Sequence, residues 1–363
     1  MPRIHNFNAG PAALPLPVLE TVQRELLDYD GTGMSIMEHS HRGKAFDAVH
    51  NDAIARLKRL LGIGDAHEVL FLQGGASLQF VMMPHNFVGA EQSADYVVTG
   101  TWTKKALAEC QRVARGRAAA DVHDADGRCT RIPRSEELEF DPTARYVHIT
   151  SNNTIFGTQY HAWPDTGAVP IIADMSSDFL WRRHDLEGID MAFAGAQKNV
   201  GPSGVCIVVA KKSFLATAKT EGVANILSYA VEAEKNSLYN TPNTFGIYVV
   251  RAVLAHLEER GGLEAVEREN RAQAALVYET IDADPDFFRA PVARDDRSVM
   301  NVVFRLPSED LEARFLAAAA ERRLAGLKGH RSVGGIRASI YNAAPRAAVE
   351  ALVAFMTEFR RTA

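Results

Sequence analysis

Six short apolar runs, each nearly continuous, are set among helical patterns in the first two thirds of the chain: residues 68–72, 96–99, 146–149, 169–173, 191–194 and 205–209. A strand with one wet face alternates apolar and polar residues. A strand covered on both faces has no reason to alternate. Around these runs the apolar residues recur at helical spacing, as in Phe46, Val49, Ala53, Leu57, Leu60 and Leu61, or Ala106, Leu107, Cys110 and Val113. The pattern predicts an α/β fold, a mostly parallel sheet with helices on both faces. After about residue 245 it changes. Helical patterns occupy 246–260 and 263–283, followed by a strand within 299–306, a helix near 308–323, a short strand near 336–340 and a last helix. In that helix Val349, Leu352, Val353, Met356 and Phe359 share one face. The expected organisation is an N-terminal arm (1–15), a large domain (16–255) and a smaller C-terminal α+β domain (256–363). Prolines 11, 15 and 17 favour an extended arm that enters a helix near Pro17.

Composition narrows the function classes. With 363 residues and 47% hydrophobic content the chain can bury a large core. A net charge of -5 and the lack of any basic run argue against nucleic acid as partner. Three scattered cysteines, Cys110, Cys129 and Cys206, form no metal or disulfide spacing and suit a reducing compartment. The start of the sequence lacks a signal-peptide core, and no run is long enough to span a bilayer. A cytoplasmic protein without a membrane partner is expected.

Lys198 follows the run 191–194 and precedes Asn199-Val200-Gly201-Pro202-Ser203-Gly204. That places it at the sheet edge where α/β proteins build their sites. The small residues on either side leave room beside its amine for a planar ligand. A solvated loop lysine is the plainer reading. Asp174 ends the run 169–173, and a carboxylate buried there needs a cationic partner. A pyridinium nitrogen is one such partner, and a turn aspartate is the plainer reading. Gln73-Gly74-Gly75-Ala76-Ser77 joins a strand to a helical pattern, where backbone N–H groups and the helix dipole favour an anion. Its glycines match neither a Walker loop nor a dinucleotide fingerprint. Trp102, just past the run 96–99, could stack on a ring or simply fill the rim. His41-Arg42, His330-Arg331 and Arg337 offer cations in small or glycine-rich settings that suit carboxylate or phosphate. His39 and His41 lack a third ligand at metal spacing, so no metal is expected.

These residues, together with residues 7–12, 193–199, 238–242 and 329–343, resemble the phosphoserine aminotransferases, class V members of the fold-type I pyridoxal-phosphate enzymes. The resemblance runs almost end to end. It implies a seven-stranded, mostly parallel sheet in the large domain, with pyridoxal 5'-phosphate as cofactor. Lys198 then corresponds to the Schiff-base lysine and proton shuttle, Asp174 to the partner of the pyridine nitrogen, and Trp102 to the stacking aromatic. Thr154 corresponds to a ring contact, and Ala76, Ser77 and Gln197 to phosphate-side contacts. Asn240 and Thr241 correspond to phosphate contacts from the other subunit, which makes a homodimer the implied partner state. Ala9, His41, Arg42, His330, Arg331 and Arg337 correspond to the substrate anion sites. The implied reaction is a ping-pong exchange between L-glutamate and 3-phosphohydroxypyruvate, yielding O-phospho-L-serine and 2-oxoglutarate for serine biosynthesis. Formation of 4-phosphohydroxy-L-threonine in pyridoxine biosynthesis is the related extension. Two departures stand out: Ser77, where some members carry arginine, and the stretch 223–236.

Rival readings meet specific obstacles. A cysteine desulfurase or selenocysteine lyase needs a C-terminal cysteine, and none follows Cys206; Gln197 also stands where those enzymes carry histidine. An aminotransferase for alanine or glyoxylate has no use for so many paired cations. A non-catalytic scaffold would tolerate loss of Lys198 or Asp174, yet both are present.

Overall fold

The computed structural model describes residues 3–363; the first two residues of the expected arm lie outside it. In chain order the strands are β1 (His5–Asn6), β2 (His67–Leu72), β3 (Ser93–Val98), β4 (Arg115–Asp121), β5 (Val147–Thr150), β6 (Ile171–Asp174), β7 (Met191–Gly195), β8 (Cys206–Lys211), β9 (Asn301–Phe304), β10 (Leu324–Ala325) and β11 (Ile336–Ser339). The α-helices are α1 (Leu16–Glu25), α2 (Lys44–Leu61), α3 (Gly75–Phe87), α4 (Thr101–Cys110), α5 (Lys212–Leu215), α6 (Tyr229–Glu234), α7 (Thr244–Glu259), α8 (Gly262–Asp282), α9 (Glu309–Glu321) and α10 (Arg346–Thr362).

Seven strands form one sheet in the order β2-β8-β7-β6-β5-β3-β4. Strand β8 runs antiparallel to both neighbours, and the remaining pairs are parallel. The two-residue alternation of a strand sorts its side chains between the faces. Met191 and Phe193 of β7 join one apolar cluster with Phe80 of α3 and Ala106 of α4. Ala192 and Ala194, between them, join the other with Phe46 of α2 and Val250 of α7. Both sets are fully buried, which is why the run reads as continuously apolar. Burying a side chain such as Phe193 contributes roughly 1.5–3 kcal/mol.

Strand β4 is the strand of this sheet that the pattern misses, and the two-residue strands β1 and β10 outside it are missed as well. The β4 sequence, Arg-Gly-Arg-Ala-Ala-Ala-Asp, lacks branched residues, and most of it is exposed at the edge of the sheet. It pairs through its backbone with β3 rather than through an apolar face. A separate apolar cluster gathers Val277, Val302, Phe315, Ala338, Leu352 and Phe359, and draws in Phe7 from the arm and Trp181. The arm is not loose: β1 pairs in parallel with β10, and the Ala12 N–H donates to the Gln197 carbonyl at 2.8 Å.

Candidate active site

The carboxyl ends of the parallel strands open onto a cleft of about 560 Å³. It is lined by Ala9, Gly10 and Pro11 of the arm, the Gly74-Gly75 turn, Trp102, Thr154 and Ile155, Gln197 and Lys198, Ser203 and Gly204, and His330 with Arg337. Strand β7 leaves its ladder with β8 where Gly195 faces Cys206. The chain then makes one turn, closed by the Val200 N–H on the Ala196 carbonyl, and Lys198 projects from it. Its Nζ donates to Thr154 Oγ1 at 2.8 Å and lies 5.4 Å from the centre of the Trp102 ring. Asp174 is the last residue of β6, and its Oδ1 accepts from the Ser176 N–H at 2.9 Å.

Burial dominates the electrostatics of this pair. It pushes the Lys198 ammonium below its ordinary value; the Asp174 charge opposes that shift and Arg337 adds to it. It pushes the Asp174 carboxyl up, against the pull of Lys198. Behind Asp174, the fully buried Asp178 accepts from Ser151 Oγ and from Gln159 Nε2. Its carboxyl is pushed up to about 7, chiefly by burial, with the Asp174 charge contributing.

A planar cofactor with an anionic tail fits what is present. The Trp102 Nε1 and Arg337 Nε atoms are buried without partners. Asp174, only 4% exposed, lies outside the cleft's lining but close enough to Lys198 for the two charges to interact. At the Gly74-Gly75 part of the lining, α3 starts after its N-cap Gly74 with no side-chain cap. Gly74 has φ 74°, and a Cβ there would stand 2.5 Å from Leu78 Cβ, so only glycine makes this turn. A bare helix start of this kind suits a phosphate.

The remaining sequence-derived residues divide. Ala76 and Ser77 fall in the first turn of α3, just past the lining, with Ser77 exposed. His330 lines the cleft and bonds Ser332, and Arg331 next to it is exposed and outside the lining. His41 and Arg42 lie outside the lining of this chain's own cleft; His41 Nε2 is buried without a partner and Arg42 is exposed. Asn240 Oδ1 accepts from Gln73 Nε2 at 3.1 Å, and Thr241 is exposed beside it. The divergent stretch 223–236 supports α3: Tyr229 donates to Gln79 and stacks on Phe87.

Pattern reasoning missed several supports. The Tyr341 hydroxyl donates to the Ala9 carbonyl at 2.8 Å and ties the arm to the C-terminal part. Arg337 Nη1 donates to the Thr154 carbonyl at 3.2 Å. Asn153 bonds Thr99 and Thr158 and sets the loop that carries Thr154. Only the polar run Ser151-Asn152-Asn153-Thr154 after an apolar strand hinted at this.

The family model "Aminotransferase class-V" matches residues 4–352. The chain therefore belongs to the class V aminotransferases, and it is a pyridoxal-phosphate-dependent enzyme. It is 55% identical over 361 residues to a phosphoserine aminotransferase of Desulfosudis oleivorans and 52% identical over 360 residues to one of Niallia circulans, covering 99% of both chains in each case. The solved phosphoserine aminotransferase from Bacillus circulans subsp. alkalophilus superposes with a TM-score of 0.96 at 51% identity and 99% coverage of each chain. The PLP-bound phosphoserine aminotransferase from Trichomonas vaginalis gives a TM-score of 0.93 at 38% identity, covering 98% of this chain and all of that one. Within the class, this chain belongs to the phosphoserine aminotransferases.

Proposed function

We propose that the chain moves the amino group of L-glutamate to 3-phosphohydroxypyruvate, with O-phospho-L-serine and 2-oxoglutarate as products. The observation that carries this reading is Lys198: a half-buried lysine whose amine lies between Thr154, Trp102 and Arg337 at the mouth of the sheet, with the Asp174 charge close by. The cofactor supplies an electron sink that carries the amino group from the first substrate to the second.

The chain's own residues do the rest. Lys198 would hold the cofactor, and its Nζ would be the group that takes the proton from the substrate Cα and returns one. Burial disfavours the charged form of this amine, which favours the uncharged form that a proton acceptor needs. Asp174 keeps the pyridine nitrogen protonated, and Trp102 with Thr154 fixes the ring. The Gly74–Ser77 turn and Gln197 hold the cofactor phosphate. Arg337, with its unpartnered Nε, takes the substrate α-carboxylate against Ala9. His330 and Arg331 take the far anion, phosphate on one substrate and carboxylate on the other.

The same reading includes a homodimer. Leu27 is 84% exposed, and Met34, Met37 and Tyr239 are exposed near Arg42 and Asn240. An apolar surface there would bring the Asn240-Thr241 and His41-Arg42 segments of one protomer to its partner's cleft. The separate apolar clusters support a division into arm, large domain and a small domain over 256–363. No helix among the described residues is long and apolar enough to cross a membrane, and we assign the enzyme to the cytoplasm.

The absorption spectrum tests the reading. The holoenzyme should absorb at roughly 400 nm, glutamate alone should shift the band to roughly 330 nm, and 3-phosphohydroxypyruvate should reverse it. A band that ignores glutamate would remove the donor assignment. The 4-phosphooxy homologue of the acceptor can be offered in the same cuvette, as a check on the pyridoxine branch.

A further inference from the structure

Past the end of β11 the chain reaches Tyr341 and Asn342, two residues without a part in the reaction proposed above. Tyr341 is 3% exposed. Its hydroxyl accepts from Asn301 Nδ2 at 3.2 Å and donates to the Ala9 carbonyl at 2.8 Å. Asn301 is held in turn: its Oδ1 accepts from Asn152 Nδ2 at 2.7 Å, and its Nδ2 also donates to Ser339 Oγ at 2.9 Å. A phenol has one proton to give. With Asn301 donating on one side, that proton goes to Ala9.

Ala9 begins the part of the arm that rests on the active lysine. Gly10 follows it, and a Cβ there would stand 3.3 Å from Lys198 Cγ. The Ala12 N–H donates to the Gln197 carbonyl at 2.8 Å. The arm therefore packs on the stem of Lys198 and on the residue before it. Asn342 grips the residue after it. The Asn342 N–H donates to Asn199 Oδ1 at 2.9 Å, and its side chain donates to the Leu180 carbonyl at 2.8 Å. Tyr341 and Asn342 thus secure both sides of Lys198, one through the arm and one directly. A lysine side chain is long and flexible, so what packs along the stem decides where the amine stands. Misplacing a reacting group by about 1 Å can slow a reaction roughly a hundredfold.

We propose that Tyr341 is a positioning residue for transamination: its hydroxyl, through the Ala9 carbonyl, holds the arm against the Lys198 stem and so sets where the amine stands when it takes the Cα proton. The assignment rests on the reading of Lys198 as the proton carrier. Tyr341→Phe removes the hydroxyl and keeps the ring. Asn301 Nδ2 retains Ser339 Oγ, and the half-exposed Ala9 can turn its carbonyl to water, so the fold is not at risk. The arm stays tethered by β1 on β10 but is free to lift between Ala9 and Ala12.

Two measurements on full-length Tyr341→Phe test this. In the cofactor-free protein, hydrogen exchange at the Ala12 amide should quicken by about fivefold or more, as local opening becomes easier. In the holoenzyme, the single-turnover reaction should slow roughly tenfold to a hundredfold at saturating glutamate, where weaker binding cannot account for the loss. Deuterium at the glutamate Cα should slow the variant at least as much as it slows the wild type, because proton transfer is the step that suffers. A merely damaged fold lowers the amplitude of the absorbance change and leaves its rate alone. The proposal is overturned if Ala12 exchanges as in the wild type, if the rate is unchanged, or if the slower variant shows a smaller isotope effect. A wild type that ignores glutamate removes the donor assignment instead; hydrogen exchange then decides alone, and an unchanged Ala12 amide overturns the proposal.

Discussion

Replacing Asp174 by asparagine removes one charge and almost no volume. The native carboxylate is 4% exposed and accepts one protein hydrogen bond at Oδ1, from the Ser176 N–H, which an amide oxygen can also accept. A carboxylate has about four acceptor positions. The charge is therefore poorly satisfied unless a cation lies against it, and Lys198 is the nearby protein cation that stabilises it. Removing one partner of a buried ion pair costs about 3–5 kcal/mol. At about 1.4 kcal/mol per factor of ten, the glutamate half-reaction should slow by roughly a hundredfold to a few thousandfold. Stopped-flow absorbance of the Asp174→Asn holoenzyme mixed with glutamate measures this in a single turnover. Circular dichroism of the cofactor-free variant should match that of the wild type. A variant that reacts within tenfold of the wild type would refute the assigned role.

Lys198→Ala should abolish transamination while circular dichroism stays native; turnover near wild type would remove the lysine from the mechanism. Arg42→Ala and Arg331→Ala each lose a charged hydrogen bond worth about 1.5–3 kcal/mol, so KM for the phosphorylated substrate should rise about tenfold to a hundredfold. Cofactor affinity, read by titration of the absorption band, should hardly move in either; loss of cofactor instead would mean the site is wrongly divided. Lys198→Ala subunits mixed with Asn240→Ala subunits should regain part of the activity if sites are shared across a dimer, and none if each chain works alone. For Asp178 the folded carboxyl is raised to about 7, so the folded state holds a proton that the unfolded chain has released. That contribution is present below the ordinary carboxylate range and is lost as pH rises through about 7. Denaturant titrations should show the decline in the wild type and a flatter profile in Asp178→Asn, whatever its absolute stability; parallel profiles would contradict the assignment.

The central strands were legible because burial on both faces leaves an unbroken apolar signature, and β7 is the clearest case. Strand β4 was not, because its stability comes from backbone pairing at an edge, and that has no apolar code. Lys198, Asp174 and the glycine turn could be placed because each follows a strand whose end the pattern marks. The partners that hold them were hidden. Tyr341 and Ala9 are 332 residues apart, and no local spacing connects them. The sequence suggested His41 and Arg42 as cations for an anion, but not that they lie outside the lining of their own cleft, since that follows from how distant segments pack. Nothing in its sequence setting marks Asp178, since burial of a polar group follows from three-dimensional packing.

The pairing of β1 with β10 also sets an order of events. His5 and Asn6 leave the ribosome long before their partners Leu324 and Ala325. Until then the segment that carries Ala9, Gly10 and Pro11 has no strand to dock on, so the cleft's front wall is completed last. Contacts this distant in sequence are slow to form. A nascent chain stalled before residue 324 could therefore shelter most of its central sheet while remaining unable to close its own active site.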